Sequence, residues 1–355
     1  VVTLPYMHSS IQTAQYMDAG MFEFCESKKI KAVQGYDKEK NIWHDPASFM
    51  PDYVFFQTPY NILPSGWSAD KISLISRICY LPYGATLFKG EVESIVYPQS
   101  FMRYAHLIFK ENTISREIFL NKFQNSDWFD EKKIILSGST KLDKLTAGTH
   151  SCGVVWKRGL QHDIKRILWT PRWTTSEGIC HFFDYKDFFF EFCEKHQDID
   201  FIFRPHPLCF KNFLQTGQLK ENDVINLRIE YDNSPNMILD KSNEYYDTFL
   251  SSDILISDLS SMMVEFFVTE KPIVYTHRID LFNELGRKLS EGFYWVNNAT
   301  ELEKTLKMLI SGVDPLKEKR KELIKKVMYI PEEGSGTKIK KIIGLDFKTA
   351  VYTFQ

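Results

Sequence analysis

The fold is decided by residues 254–265, Ile-Leu-Ile-Ser-Asp-Leu-Ser-Ser-Met-Met-Val-Glu, followed by residues 271–275, Lys-Pro-Ile-Val-Tyr. This pattern predicts a buried strand, a hydroxyl-rich turn, a helix and a second buried strand. The order places Ser260 and Ser261 at a helix N-terminus. Unpaired N–H groups and the helix dipole favour an anion there.

Two carboxylates flank these serines. Asp258 ends the first strand, and Glu265 lies one turn into the helix. Together with the serines, they suit a nucleotide diphosphate and its ribose. The alternative is that Ser260 is simply the N-cap of the helix, a common position for serine.

Length and composition indicate a two-domain globular protein. The chain has 355 residues, more than one domain usually holds. Hydrophobic residues make up 43% and charged residues 25%, which provides material for two cores. The formal net charge of −2 gives no indication of a nucleic-acid partner.

The six cysteines are scattered, without a Cys-x-x-Cys pair or matching histidines. This spacing disfavours a zinc site or a disulfide framework and favours a reducing cytoplasm. Because no carboxylate cluster is visible, we expect no metal. No apolar run approaches the ~18–20 residues that span a bilayer, and no signal peptide is visible. We therefore expect a cytoplasmic location.

Apolar runs alternate with helical patterns along the chain, which predicts an α/β fold with parallel sheets. The periodicity weakens at residues 147–165, so we predict domains at 1–150 and 151–355. The predicted strands are 31–33, 53–57, 77–81, 106–110, 133–136, 166–170, 200–204, 237–239, 253–256 and 272–275. The predicted helices are 11–27, 115–123, 185–196, 244–251, 261–269, 299–310, 315–328 and 337–343.

Polar turns follow several of these strands, and ligands of such sheets bind at the carboxyl ends of the strands. In Arg204-Pro205-His206-Pro207, two prolines stiffen the turn and hold the histidine out of any helix. His206 beside a permanent cation suits a leaving phosphate or general acid–base catalysis. A purely structural turn is the alternative.

Three further turns supply candidates. Thr170-Pro-Arg172-Trp173 offers a phosphate-binding arginine and a tryptophan that stacks on a base or anchors the core. In Ser-Gly138-Ser-Thr-Lys, the glycine permits close backbone approach to a ligand, or the segment is only an interdomain turn. Tyr83, after strand 77–81, is a candidate hydroxyl for an acceptor site or a packing residue.

The second half resembles the CDP-glycerol glycerophosphotransferase family, which includes teichoic-acid and capsule polymerases. The matching pieces are Ile-Leu-Trp-Thr-Pro-Arg-Trp at 167–173, Phe-Arg-Pro-His-Pro at 203–207, Ser-Asp-Leu-Ser-Ser at 257–261 with Glu265, and residues 271–275. The turn at 137–143 is similar to the family's Gly-x-x-x-x-Asp turn. The resemblance implies a GT-B fold, two Rossmann-like domains whose parallel sheets face a central cleft.

The resemblance also implies roles for individual residues. The family places the nucleotide donor against the second domain, with the Arg-x-His-Pro histidine and the Asp-x-Ser-Ser turn at its phosphates. The resemblance therefore implies that residues of the Arg-x-His-Pro and Asp-x-Ser-Ser motifs contact the donor phosphates in this chain. It also implies that Glu265 contacts the ribose. The motif residues are Arg204, His206, Asp258, Ser260 and Ser261.

The first half departs from the family pattern at one position. Where the family has a histidine as the base, in a His-Gly-Thr motif, this chain has Tyr83-Gly-Ala-Thr. Tyrosine, with an ordinary pKa of ~10, is a poor base at neutral pH. His8, His106 or Asp143 would then be the base, or the reaction would differ.

We therefore expect a transferase that moves polyol phosphate from CDP-glycerol, or a similar CDP-polyol, to a surface glycan or its lipid-linked precursor. It would need no cofactor, because the nucleotide is a substrate. The alternatives are a nucleotide-sugar-dependent glycosyltransferase and a catalytically inactive nucleotide- or glycan-binding module. The basic helix at 315–328 allows peripheral contact with the inner membrane face.

Overall fold

The computed structural model describes residues 1–4, 6–7, 16–17, 20–60, 63–89, 97–147, 156–160, 163–242, 244–276 and 279–353. Packing divides the chain into two compact units. The first unit comprises residues 1–83, 90–110 and 116–136. The second comprises residues 84–89, 111–115 and 137–355.

The first unit is built on a parallel sheet of four strands in the order β10-β9-β8-β7. Three two-stranded sheets accompany it among the described residues. The strands are β1 (Val2–Thr3), β2 (Tyr6–Met7), β3 (Tyr16–Met17), β4 (Val33–Gln34), β5 (Tyr36–Asp37), β6 (Ile42–Trp43), β7 (Tyr53–Phe56), β8 (Arg77–Tyr80), β9 (Ala105–Lys110) and β10 (Ile134–Leu136).

Short helices connect these strands. They are α1 (Met21–Ser27), α2 (Ala69–Ile72), α3 (Gln99–Met102) and α4 (Thr113–Phe123), with 3₁₀ turns at Pro46–Phe49, Ser65–Trp67 and Glu131–Lys133. The core of the unit is aromatic. Phe101 packs edge-on against both Phe56 and Tyr80, which joins α3 to the sheet.

The second unit contains a parallel sheet of six strands. They are β11 (Lys165–Thr170), β12 (Ile199–Phe203), β13 (Met237–Leu239), β14 (Ile254–Ser257), β15 (Ile273–Thr276) and β16 (Tyr294–Val296). Its helices are α5 (Thr140–Thr146), α6 (Phe182–Lys195), α7 (Cys209–Gln215), α8 (Glu221–Asn233), α9 (Tyr246–Ser251), α10 (Met262–Phe267), α11 (Glu284–Ser290), α12 (Ala299–Ile310), α13 (Lys317–Val327) and α14 (Ser335–Thr353).

The strand order β13-β12-β11-β14-β15-β16 makes this sheet doubly wound. The chain runs outward from β11 to β13 on one side and then returns to β14 on the other. The topological switch point therefore lies between β11 and β14. Ligands of open parallel sheets bind at the carboxyl ends of the strands beside such a point.

Both faces of this sheet are buried, which explains the continuous apolar runs of its strands. Along β11, Ile167 and Trp169 join the cluster that contains α6 and α12, whereas Leu168 faces the opposite cluster. Trp169 stacks on Phe182 at a centroid distance of 5.7 Å, which fixes α6 on the sheet. A rigid layer thus supports the strand ends that carry the site.

Nine of the ten predicted strands correspond to observed strands of the two larger sheets, within one residue at most ends. The tenth, at 31–33, is only the two-residue strand β4. The prediction of a helix at 11–27 is wrong at its start, because residues 16–17 form β3 and α1 begins at Met21. The remainder of 11–19 lies outside the described residues. Alternating apolar residues do not distinguish a short hairpin from a helix.

The sequence prediction omitted five elements of the second unit: α5, α7, α8, α11 and β16. Helix α8 buries only Val224, Leu227 and Tyr231 among many polar residues, so its apolar stripe is weak. The predicted domains, 1–150 and 151–355, differ from the compact units at residues 84–89, 111–115 and 137–147, which pack with the second unit. No helix in the described ranges is both long and apolar enough to cross a membrane.

Candidate active site

A cavity of about 520 Å³ lies at the carboxyl ends of β11, β12, β13 and β14 in the second unit. It therefore occupies the switch point of the doubly wound sheet. Its size is within the range of small-molecule sites. The lining residues are Lys141, Thr170, Pro171, Arg172, Trp173, Arg204, Pro205, His206, Pro207, Phe210, Arg228, Leu239, Asp240, Lys241, Ser242, Tyr245, Ser260, Ser261, Met262 and Glu265.

The charges of this lining favour an anionic ligand. Five side chains are cationic and two are carboxylates. The cations are Lys141, Arg172, Arg204, Arg228 and Lys241, and the carboxylates are Asp240 and Glu265. Converging cations in a concave site raise the local concentration of an anion and bind it. The cavity is thus suited to a diphosphate.

Arg204 is fixed by the end of β13. Its Nη1 pairs with the carboxylate of Asp240 and donates to Ser242 Oγ at 3.0 Å. Its Nη2 donates to the carbonyl of Ser242 at 2.9 Å. The guanidinium is only 12% exposed. Its partners orient the arginine and partly neutralise it, so it is a rigid part of the wall that carries His206.

The imidazole of His206 is exposed at the mouth of the cavity and stacks on Trp173, with ring centroids 5.8 Å apart. Its Nδ1 accepts a hydrogen bond from the backbone N–H of Leu208 at 3.2 Å. An accepting Nδ1 assigns the ring proton to Nε2. His206 can therefore donate a hydrogen bond from Nε2 to an oxyanion.

Arg172 follows β11 and forms a bidentate pair with Glu177, with distances of 2.5 Å from Nε and 2.8 Å from Nη2. Its guanidinium also lies 5.0 Å from the centroid of the Phe88 ring. Thr170, the last residue of β11, donates from Oγ1 to Ser257 Oγ at 3.0 Å. This bond joins the ends of β11 and β14 at the switch point.

Ser260 and Ser261 lie at the start of α10, as predicted, and both line the cavity. Ser260 Oγ also accepts from the backbone N–H of Met262 at 3.3 Å, which is a capping contact. The two alternatives for Ser260 are therefore compatible, since the same hydroxyl caps the helix and faces the cavity.

Sequence reasoning missed a basic partner of Glu265. Lys141 Nζ, on the first turn of α5, lies 3.3 Å from Glu265 Oε1 and 5.9 Å from the centroid of the Tyr245 ring. Burial and the Glu265 carboxylate raise the pKa of Tyr245, so its phenol stays protonated. The sequence contains one indication of this role, because Lys141 lies in the polar turn at 137–143 that follows β10.

The structure places Asp258 outside the cavity lining, and its predicted contact with phosphates stays a prediction. Asp258 is 1% exposed, does not line the cavity, and accepts a hydrogen bond from the backbone N–H of His181 at 3.1 Å through Oδ2. Burial raises its pKa to about 7. The residue fixes the segment between β11 and α6 from below, because the strand end turns its side chain inward.

Gly138 also lies outside the cavity lining, where close packing requires a glycine, and its predicted approach to a ligand stays a prediction. It has a φ of +78° and lies outside the cavity lining. A Cβ there would lie 2.5 Å from Ser335 Oγ and 2.7 Å from the carbonyl of Tyr329, so close packing requires glycine. Nearby, the Asp143 carboxylate accepts from the backbone N–H groups of Ser335 and Gly336, so it caps α14 instead of facing the cavity.

Tyr83 belongs to the first unit, where it is 48% exposed. Its assignment to the acceptor side stays a prediction. Of the other bases considered, His8 lies outside the described residues and His106 lies on β9. Within the described part of the chain, no group of three or more His, Cys, Asp or Glu residues is arranged to hold a metal ion.

With this geometry established, comparison with known proteins identifies the family. The model of the CDP-glycerol:poly(glycerophosphate) glycerophosphotransferase family matches residues 99–294, more than half of the chain. The chain belongs to this glycerophosphotransferase family. The match covers His206, Arg204, Arg172 and the Ser260–Ser261 turn, and it confirms the resemblance recognised in the sequence. No significant match was found among curated proteins.

Solved structures confirm the GT-B type of fold for this glycerophosphotransferase-family chain. The wall teichoic acid polymerase TagF aligns with a TM-score of 0.61 and 16% identity over 93% of this chain and 85% of its own. A TagF variant with CDPG aligns with a TM-score of 0.57 and 16% identity, over 93% of this chain and 85% of its own. S. aureus MnaA in complex with UDP aligns with a TM-score of 0.55 and 16% identity, over 82% of this chain and 79% of its own.

Proposed function

We propose that this protein transfers glycerol phosphate, or a similar polyol phosphate, from a CDP-activated donor to a hydroxyl of a teichoic-acid or capsule-type surface glycan or its lipid-linked precursor. The observation that carries the proposal is the convergence of His206 and five cationic side chains on one cavity at the switch point. Membership of the glycerophosphotransferase family supports CDP-glycerol as the donor. The nucleotide is a substrate, and no separate cofactor is part of the proposal.

The diphosphate of the donor would lie between His206 and the serines that begin α10. Arg172 and the exposed Arg228 and Lys241 supply positive charge, and Ser260 and Ser261 supply hydroxyl donors. Preorganised donors stabilise charge that develops during the reaction without further reorganisation. Glu265 and Lys141, as a pair beyond the serines, would contact the ribose and its surroundings.

The proposed chemistry is displacement at the phosphorus that carries the glycerol. The acceptor oxygen forms a bond to this phosphorus as the bond to the bridging oxygen breaks, and the bond electrons remain on the departing CMP. His206 would donate its Nε2 hydrogen bond to the phosphate oxygen that becomes more negative. The proton of the acceptor hydroxyl passes to the solvent, so that the reaction yields the phosphodiester, CMP and one proton. Tyr83 remains the candidate residue on the acceptor side.

We place this reaction in the cytoplasm, with contact at the inner membrane face when the acceptor is lipid-linked. Helix α13 is rich in lysine, but two half-buried lysines pair with glutamates, Lys319 with Glu291 and Lys321 with Glu318. These pairs reduce the charge available to anionic lipid. Flotation with anionic and neutral vesicles tests this contact. Equal flotation with the anionic and the neutral vesicles, or flotation with neither, would refute the membrane contact.

The direct test of donor use is CMP release from CDP-glycerol. Wild type should bind the donor, with a thermal shift that reflects ~2.7 kcal/mol of stabilisation at ~100 times the dissociation constant. His206→Ala should bind the donor but release CMP at least ~100-fold more slowly, within the range of acid–base contributions. UDP-glucose and UDP-N-acetylglucosamine serve as competing donors.

A matched control is His196→Ala. This histidine lies at the end of α6 in the same unit and does not line the cavity. Its substitution should leave CMP release unchanged. Turnover of a UDP-sugar in place of CDP-glycerol would replace the proposal with the glycosyltransferase alternative. Binding without turnover of any donor would favour the inactive binding module.

A further inference from the structure

A second cavity, of about 360 Å³, lies within the first unit at the carboxyl end of β7. It is enclosed by the turn after β7, the 3₁₀ turn Ser65–Trp67, α2 and α3. Five of its eleven described lining residues have aromatic rings. The residues that carry the argument are Phe56, Tyr60, Trp67, Asp70, Phe101 and Tyr104.

The chemistry of this cavity differs from that of the donor cavity. None of the described residues that line it is cationic, and its charged member is a carboxylate, Asp70. The Ser68 hydroxyl, which donates to Asp70 at 2.5 Å, lowers the pKa of that carboxyl. An ionised carboxylate without neighbouring cations in the wall repels phosphate groups. A poly(glycerol phosphate) chain is therefore a poor occupant.

Trp67 has a hydrogen-bond donor without a protein acceptor. The residue is 6% exposed, and its Nε1 is buried with no hydrogen-bond partner among the described residues. A buried donor without an acceptor costs free energy, so it requires an explanation such as an absent ligand. Because Nε1 has almost no accessible surface, a ligand oxygen in the cavity that Trp67 lines would meet this donor only after a small shift of the indole.

The cavity is connected to Tyr83 through Tyr60. Tyr60 lines the cavity and is hydrogen-bonded to Tyr83. Burial and this neighbour raise the pKa of Tyr60 well above its ordinary value. The phenol of Tyr60 thus remains protonated at physiological pH and acts through hydrogen bonds. Tyr83 occupies the position at which the family pattern has a histidine.

We propose that the aromatic cavity of the first unit binds a neutral sugar residue, the end of the acceptor that receives the polyol phosphate. Flat rings, exposed on Tyr104 and half-buried on Tyr60, contact the apolar face of a pyranose. Asp70, Ser100 and the indole N–H of Trp67 hydrogen-bond to its hydroxyls. The Tyr60–Tyr83 pair orients the reacting hydroxyl.

This inference rests on the proposed function, and it narrows the acceptor to a neutral glycan in place of a growing polyanion. A polyprenyl chain is the other apolar occupant to consider. The mixture of carboxylate, hydroxyl and indole N–H groups in the wall favours a sugar, because an alkyl chain would leave these groups without partners.

The test measures binding of small probes to the whole protein by saturation-transfer NMR and calorimetry. The probes are methyl glycosides of glucose, galactose and N-acetylglucosamine, a short glycerol phosphate oligomer, and farnesyl phosphate. Tyr104→Ala removes an exposed ring, and Trp67→Phe removes the indole N–H but keeps an aromatic ring. Phe55→Ala is the matched control, since Phe55 is 46% exposed and lies outside the cavity lining.

At least one neutral glycoside should bind. Tyr104→Ala should weaken this binding by about fivefold to tenfold, as expected for the loss of an aromatic contact. Trp67→Phe should weaken glycoside binding while binding of CDP-glycerol by the second unit is unchanged, a combination that general loss of folding would not give. Phe55→Ala should bind like wild type.

Three results would overturn the inference. They are the absence of glycoside binding, tighter binding of the glycerol phosphate oligomer at the same residues, and binding of farnesyl phosphate that Tyr104→Ala abolishes. CDP-glycerol binding and CMP release are measured on the same samples. If they persist while the glycosides fail, only the acceptor inference is refuted. If they are absent, the proposed function fails first.

Discussion

Asp258 allows a quantitative test of how the second unit supports its site. The carboxyl is 1% exposed at the end of β14, and burial raises its pKa to about 7, from an ordinary value of 3.8. A pKa that is higher in the folded than in the unfolded chain means that the folded state holds the proton more tightly. Stability contributed by this group is therefore lost as the pH rises from about 4 to about 7.

The size of this loss follows from the two pKa values. Between about pH 5 and about pH 8, ionisation of Asp258 should reduce the free energy of unfolding by ~2.6 kcal/mol. Asp258→Asn replaces the carboxyl with an isosteric amide that is neutral at every pH. It can still accept from the backbone N–H of His181. The variant should therefore lack this part of the pH dependence.

The assay is urea unfolding of wild type and Asp258→Asn at several pH values between about 5 and 8, compared as a double difference. The variant should gain stability relative to wild type as the pH rises. Asp232→Asn, at an exposed aspartate of the same unit, is the control and should track wild type. Parallel pH curves for Asp258→Asn and wild type would refute the reasoning, and relative stabilisation of wild type at high pH would reverse its sign.

Three further outcomes follow from the packing of the second unit. Gly138→Ala should lower the free energy of unfolding by at least ~2 kcal/mol more than Gly312→Ala does. Both glycines have positive φ, but of the two only Gly138 lacks room for a Cβ. Equal losses in urea unfolding would contradict the close packing at Gly138. Burial lowers the pKa of Lys271 to about 8, so the unfolded chain holds this proton more tightly than the folded one. Between about pH 7 and 10, the free energy of unfolding of wild type should therefore rise by about 2 kcal/mol relative to that of Lys271→Met. A difference that does not change with pH in denaturation curves would contradict this. Arg320→Leu should lower the free energy of unfolding by ~3–5 kcal/mol, because it leaves the carboxylate of Asp314 without its buried partner. The double variant Arg320→Leu with Asp314→Leu should recover part of this loss. Strictly additive effects of the two substitutions would argue against the pair.

The strands and the site turns were predictable because their signals are local. An apolar run such as 254–257 predicts a buried strand wherever it occurs, and prolines restrict the turn around His206 without reference to the rest of the chain. Parallel strands of one sheet bring their carboxyl ends to one edge. The sequence was therefore sufficient to predict that Arg172, His206 and Ser260 would lie near a common ligand.

Partners from distant parts of the chain were not predictable in this way. Lys141 meets Glu265 across 124 positions, and Arg204 meets Asp240 across 36, so no sequence spacing indicates either pair. Asp258 looked like a ligand-binding residue because it ends a strand next to two serines. Only the packing of the segment before α6 above it shows that its carboxyl is buried.

The sequence by itself determined the fold class, the family and the edge of the sheet at which the larger cavity lies, since periodicity, strand length and turn residues act locally. The tertiary structure alone decided which side chains face the cavity and which lie beneath it. It also revealed the cavity of the first unit, whose lining has aromatic rings and no cationic residue among those described. These features depend on the direction of individual side chains and on contacts between segments that the sequence separates.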